Sequence, residues 1–442
     1  MVRALWRQGR WFEYLMAFAV LALIVRAMYW LYTYGYFPQP FFYEASDTYM
    51  DWFNTAYWAH AGGAYDVWLT IYPPLSFVVL KFLGNPACYV AEGLETRDCD
   101  WMGIVAFHAF FVVNIVLTAW TFFKMDRRTS VPRAIALSAG MPMLCALERG
   151  NVLLMCYTAM ILAYGPIIRS ARWRWLFAGI AVNFKVYLIG AVVAQLLKRR
   201  WLWCEGALIA TVLVYLVSYG LYGEGTPAQI YRNITDYSSG FVASRVLDVW
   251  FGVTYQPVIS LLQGNGFPIT QYLGSDIPEL GLVLLPLFTR LGQVSIVLAA
   301  AATWLRPGVV PTHRLAFFGV VIALISSEAG GYTEIMVILL TFMEKWRGIA
   351  RPIAIIAAYI LCLPADIPIG AIPPFVTDGY MVGHSVEVHF DVGLGMFVRP
   401  GLVILTAICI SASTLHDVWR DIRARGWAEG GSPLKPWLRP AQ

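Results

Sequence analysis

Apolar residues run through this chain in long blocks, and short basic clusters separate them. The first block follows MVRALWRQGR and ends in WLYTYGYF. It lacks a small-residue cleavage site, so it reads as an anchor helix rather than a signal peptide. Each block approaches the roughly 20 residues that carry a helix across a hydrocarbon core. Lys and Arg gather at 1–10, 124–128 (KMDRR), 169–174 (RSARWR), 198–200 (KRR), 306–314, 344–348 and the tail DVWRDIRARGW. The positive-inside rule puts these loops in the cytoplasm.

The chain must cross out and back between them. Helix one covers about 12–33, and a long external segment, 34–100, carries interfacial helices. Helix two returns over about 101–123. Spans near 132–147 and 151–168 form a pair whose outer tip is ERGN, 148–151. The stretch 174–197 has two readings, a single helix that violates the rule or two short half-helices with Asn183, Phe184 and Lys185 at the tip. The hairpin is preferred because it restores the parity of every later helix, and broken helices occur where they line a protein cavity. Then 201–221 goes out, 222–279 lies outside, and 280–303 returns. Helices 314–328 and 333–344 flank a second outer tip, SSEAGGYTE; 350–364 goes out, 365–391 is external, and 392–414 returns. The prediction is an all-α polytopic membrane protein of about 12 transmembrane segments. Residues 1–421 form one integral domain, and 422–442 a cytoplasmic tail.

Composition supports the solvent. The 442 residues are 59% hydrophobic and 13% charged, with mean hydropathy +0.61; a soluble domain carries about 25% charged residues. Eighteen Trp and 24 Tyr suit interfacial belts. The net charge of +5 follows from the basic loops and is no sign of nucleic-acid binding. No serine-nucleophile elbow, P-loop or Rossmann fingerprint appears, so ATP-driven transport has no support. Cys88 and Cys99 are the one cysteine pair in a long polar loop on the outer, oxidising side, where a disulfide is expected and two free thiols are the alternative. The other five cysteines read as packing residues, and no zinc spacing is present.

Unusual polar residues collect on the outer face. Asp47 and Asp51 are four residues apart, on one helix face among aromatic residues. Asp47 reads either as a helix N-cap or as a catalytic carboxylate. Glu148 and Arg149 could neutralise one another; otherwise Arg149 suits a phosphate. Lys185 stands near mid-span without an adjacent acid, either snorkelling or functional. Asn233-Ile234-Thr235 fits a glycosylation sequon. The last loop holds His384, Glu387 and His389, too loose a pattern for a metal motif.

The layout resembles the GT-C superfold of membrane glycosyltransferases. The segment SDTYMDWFNTAYWAHAGGAYDVWLTIYPP looks like the Asp…Gly-x-x-Tyr…Tyr-Pro-Pro pattern of glycosyltransferase family 87. ERGN resembles that family's Gly-Asn turn, and NFK its Phe-Lys motif, although Val186 stands where the family often has Pro. The family includes the polyprenol-phosphate-mannose-dependent mannosyltransferases of mycobacteria. The resemblance covers about 12–200. It implies an inverting hexosyltransferase that moves a sugar, mannose by preference, from a polyprenyl phosphate to a glycolipid or polysaccharide acceptor. It implies Asp47 as base with Asp51 in reserve, and Arg149, Lys185 and Arg245 on the donor phosphate. Tyr49, Trp52, Tyr72, Glu148, Asn151, Tyr332 and Glu334 would bind substrate. No metal or other cofactor is expected. The setting would be a bacterial inner membrane, with a periplasmic active site, cytoplasmic termini and a monomeric chain. The alternatives are a polyprenyl-linked glycan or lipid transporter, and an O-antigen polymerase or ligase. The first should show repeat symmetry and a charged path through the helices; the second should concentrate its residues in a late loop.

Overall fold

The computed structural model describes residues 2–90, 93–240, 250–263 and 274–427. Among the described residues, six helices are long and apolar enough to cross a membrane: Gly9–Tyr34, Trp101–Met125, Ser130–Glu148, Trp201–Tyr222, Asp276–Leu305 and Gly395–Arg425. In four of them only 17–22% of the apolar window is buried. Side chains such as Phe18, Val25, Leu221 and Leu287 stand bare. A protein dissolved in water rarely exposes apolar surface on that scale. The outer ring therefore suits a hydrocarbon solvent.

The inner helices are shorter. Leu153–Tyr164, Thr312–Leu324, Glu334–Phe342 and Ala350–Leu361 are buried on most sides. Leu153–Tyr164 has 12 residues. At about 1.5 Å per residue it falls well short of a ~30 Å hydrocarbon core. The roughly twelve expected spans thus divide into six of spanning length and a set of shorter helices that end inside the protein. Three polar turns interrupt the helices: ERGN after Met141–Glu148, Lys185 after Ala171–Phe184, and GGYTE before Glu334–Phe342.

The stretch after Arg174 is such a case. Helix Ala171–Phe184 stops, Lys185 is extended (φ −140°, ψ 104°), and a helical run resumes over Val186–Lys198. Arg174 and Arg200, at the two feet of this break, lie within electrostatic reach of each other. The second arm packs closely on helix Thr312–Leu324 through two glycines. A Cβ on Gly190 would fall 2.2 Å from the Gly319 carbonyl oxygen.

The long segment after helix one holds a 3-10 turn, Ala45–Asp47, then helices Met50–Ala61, Pro74–Leu83 and Leu94–Cys99. Cys88 and Cys99 are disulfide-bonded, with Cα atoms 5.5 Å apart. Next to them the buried Asp100 caps helix Trp101–Met125, accepting from Met102 and Gly103 N–H and from the Tyr89 hydroxyl at 2.5 Å. The strands of the described residues lie at 368–393, in and just past the segment expected at 365–391. Strand Pro368–Ala371 pairs antiparallel with Asp391–Gly393, and Phe375–Gly379 with His384–Val388. The second ribbon lies over the 3-10 turn, where Tyr380 N–H donates to the Ala45 carbonyl at 3.3 Å.

Candidate active site

The ERGN turn and the first external segment are locked together through their backbones. Tyr49 N–H donates to the Glu148 carbonyl at 2.8 Å, and Asp51 N–H to the Arg149 carbonyl at 3.1 Å. Gly150 takes φ +63°, and a Cβ there would fall 3.0 Å from the Tyr49 carbonyl oxygen. Only glycine adopts that geometry without strain or clash. Tyr49 itself sits at φ +68°, a costly conformation for a tyrosine that persists because its surroundings hold it.

This docking delivers Arg149 between two carboxylates. Its Nη1 donates to Asp47 Oδ2 at 2.5 Å and its Nη2 to Asp51 Oδ1 at 2.6 Å. Asn151 Nδ2 donates to the other Asp51 oxygen at 2.7 Å, while its own Oδ1 accepts from Leu153 N–H at 2.9 Å and so fixes the amide. The guanidinium also lies 4.1 Å from the centre of the Phe42 ring. Asp47 and Asp51 are therefore not stacked on one helix. Asp47 ends the 3-10 turn, Asp51 lies in helix Met50–Ala61, and Arg149 brings them together. Nor does Asp47 cap that helix, whose N-cap is Tyr49 without a side-chain bond.

Arg149 corrects two further expectations. It pairs with neither a free site nor Glu148; the two aspartates occupy its fork. A guanidinium so engaged is an organiser of carboxylates rather than an open phosphate site. Burial pushes the Asp47 carboxyl above its ordinary range, with the Asp51 charge adding to the rise and Arg149 opposing it. Burial also pushes the Tyr49 phenol up to about 12, so it stays neutral.

Lys185 lies in a neighbouring cavity of about 590 Å³. Its ammonium is 4.3 Å from the centre of the Tyr72 ring, and its side chain is buried. Among the described residues it has no carboxylate partner. Tyr187, Leu324, Glu328 and Tyr332 share the lining. Tyr332 lies within electrostatic reach of Asp51 and Arg149, which do not themselves line the cavity. Glu328 accepts from the Thr254 hydroxyl, and burial raises its carboxyl to about 7.

Other residues expected to bind substrate are placed differently. Trp52 is fully buried against Phe107, and Tyr49 packs on Phe107 and Tyr380, so both are core. Glu148 is buried, as is Glu334, which lies within electrostatic reach of Arg399 rather than in the cavity lining. Tyr72 and Tyr332 do line the cavity. Arg245 falls outside the described residues. Asn233 of the sequon is buried and donates to the Tyr65 and Thr70 carbonyls at 2.9 and 3.0 Å, which leaves its amide no room for a glycan.

Sequence reasoning missed Arg97. This buried guanidinium donates to the Ser46 and Thr48 carbonyls at 2.7 and 2.8 Å and stacks 3.7 Å from the centre of the Tyr380 ring. It straps the carbonyls on both sides of Asp47 to the disulfide loop. A lone Arg in a charged loop carries no signal of that role. Glu328 was visible only as one acid in a tip. Among the described residues no group of three His, Cys, Asp or Glu is placed to hold a metal ion. No protein-family model, curated protein or solved structure matches this chain.

Proposed function

We propose that this protein is an inverting membrane glycosyltransferase that uses a sugar carried on a polyprenyl phosphate. One observation carries the reading: an Arg-bridged carboxylate pair lies within electrostatic reach of Tyr332, which lines an apolar cavity holding a buried lysine with no carboxylate partner among the described residues. An apolar cavity with a single ammonium suits an isoprenoid chain that ends in phosphate. The carboxylate pair suits proton removal from a sugar hydroxyl.

Asp47 is the base. Its Oδ1 accepts no hydrogen bond among the described residues, whereas both oxygens of Asp51 are engaged. Burial raises the Asp47 pKa, which favours uptake of a proton. Asp47 takes the proton of the acceptor hydroxyl, whose oxygen attacks the anomeric carbon. The bond from that carbon to the phosphate oxygen breaks on the opposite face, and its electron pair leaves with the polyprenyl phosphate. Lys185 stabilises the negative charge that develops there. Asn151 holds Asp51, Asp51 holds Arg149, and Arg149 keeps the Asp47 carboxylate in place. The reaction faces the periplasm of a bacterial inner membrane, mannose is the first sugar to test, and a glycolipid or polysaccharide is the acceptor.

The test is a transfer assay with the full chain in liposomes and a panel of polyprenyl-phosphate sugars. One sugar should be transferred with inversion, and Asp47→Asn should lower transfer by about 10³-fold while the protein stays folded. Activity retained in both Asp47→Asn and Asp51→Asn would sink the reading.

A further inference from the structure

A second cavity, of about 510 Å³, plays no part in the proposed reaction. Helix Thr312–Leu324 runs between the two cavities: Arg314 near its start lines this one, and Leu324 at its end lines the Lys185 cavity. The second cavity therefore lies at the opposite end of the bundle from the carboxylate pair.

Its floor is a built ionic network. Arg314, 2% exposed, is forked onto Glu344 through two bonds of 2.7 Å and reaches Asp417 at 3.2 Å. Arg351 pairs with Glu344 at 3.5 Å and with Asp417. The third carboxylate in the lining, Asp421, is held by Arg306 at 3.7 Å and Arg425 at 3.3 Å. Every acid of the lining thus already has a cationic partner.

Lys345, Arg347 and Arg420 line the same cavity and are exposed. Among the described residues they have no ion pair and no side-chain hydrogen bond. In all, six Lys and Arg side chains face three carboxylates. Met125, Val309 and Met343 add apolar wall. Basic loop residues that only set topology need no cavity and no fixed floor. A concave surface of this volume, with surplus cations above a rigid network, suits a compact anion. Arginine forks match phosphate oxygens in particular.

We propose that this cavity binds a phosphate-bearing anion of headgroup size, at the membrane face opposite the candidate active site. Basic pockets between helix ends hold anionic lipid headgroups by the same means. The assignment stands independently of glycosyl transfer, since it shares no residue with that site.

The experiment follows thermal unfolding of the full chain in neutral detergent. One arm adds phosphatidylglycerol, one phosphatidylcholine and one inorganic pyrophosphate. Phosphatidylglycerol should raise the unfolding temperature saturably, and phosphatidylcholine should not. The triple variant Lys345→Ala, Arg347→Ala, Arg420→Ala removes exposed side chains that have no partner among the described residues and should keep the unliganded unfolding temperature. Its half-saturation should move up roughly a hundredfold, from about 1 kcal/mol per lost cation. Arg347→Glu alone should weaken binding more than Arg347→Ala. Saturation by phosphatidylglycerol only assigns a lipid headgroup; saturation by pyrophosphate as well assigns a soluble phosphate. The proposal is overturned if neither anion saturates, or if the triple variant saturates at the wild-type concentration.

Discussion

The Arg149 guanidinium lies 2.5 Å from the Asp47 carboxylate, although 102 positions separate them in the chain. The same guanidinium holds Asp51, so one cation bridges two neighbouring carboxylates. Asp47→Asn should therefore lower kcat by about 10³-fold, the loss of a positioned general base. Arg149→Lys keeps the charge and loses the fork. It should lower kcat by roughly 10²-fold, since one ammonium cannot hold both carboxylates in the same geometry. Steady-state transfer kinetics with the native donor check both values.

The pH profile should report Asp47 directly. A base must be deprotonated to act, so activity falls as pH drops through its pKa. Burial raises that pKa above the ordinary 3.8, so the acid limb of kcat/KM should lie at higher pH than a free aspartate would give. Arg149→Lys should move the limb higher still, because the opposing attraction weakens while the Asp51 repulsion remains. A limb at or below the ordinary aspartate value would remove Asp47 from the role of base.

Lys185 separates function from stability. A buried ammonium that has no carboxylate partner among the described residues is costly to the folded state. Lys185→Met should leave the unfolding temperature unchanged or raise it, while transfer falls by roughly 10²- to 10³-fold. Lys185→Arg should retain part of the activity. A variant that loses stability and keeps transfer would show a structural lysine.

Glu328 makes stability pH-dependent. Its carboxyl titrates near 7 in the folded protein and near 4.5 when unfolded. Between those values the folded state holds the extra proton, so its contribution to stability is lost as pH rises from about 4.5 to about 7. Glu328→Gln should flatten that slope. Unfolding temperatures in detergent across this range read the difference between the two proteins.

Arg97 should act as a positioning residue. Arg97→Ala frees the carbonyls on either side of Asp47 and should lower kcat by about 10²-fold, with donor KM little changed. It also removes two charge-assisted hydrogen bonds, so some loss of stability accompanies it. Reducing the Cys88–Cys99 disulfide should shift kcat the same way, because that loop carries Arg97. A change in KM alone would contradict the role.

Much of the frame was legible in the residues themselves. Uninterrupted Leu, Val, Ala and Phe blocks specify apolar helices by composition alone, whatever they pack against, and their lengths bound the solvent. Cys88 and Cys99 stand out because they share one polar loop. The turns ERGN, NFK and GGYTE are visible as polar breaks in apolar runs, and each interrupts or ends a helix in the fold. All of these signals are local: a residue's own chemistry and its near neighbours suffice.

The pairing of those breaks was decided only by the tertiary structure. Sequence left Arg149 free to bind phosphate or to neutralise Glu148; the docking of Gly150 onto Tyr49 gives it to Asp47 and Asp51 instead. Sequence counted Trp52 among the ligand-facing aromatics; packing against Phe107 makes it core. Lys185, Tyr72 and Glu328 come from three separate segments, and they share a cavity only because their helix ends meet there. Which polar groups face each other depends on helix ends that lie far apart along the chain. Hydrophobic pattern determines that a helix forms and what surrounds it, whereas the partner of each buried charge is set by the close approach of backbones in three dimensions.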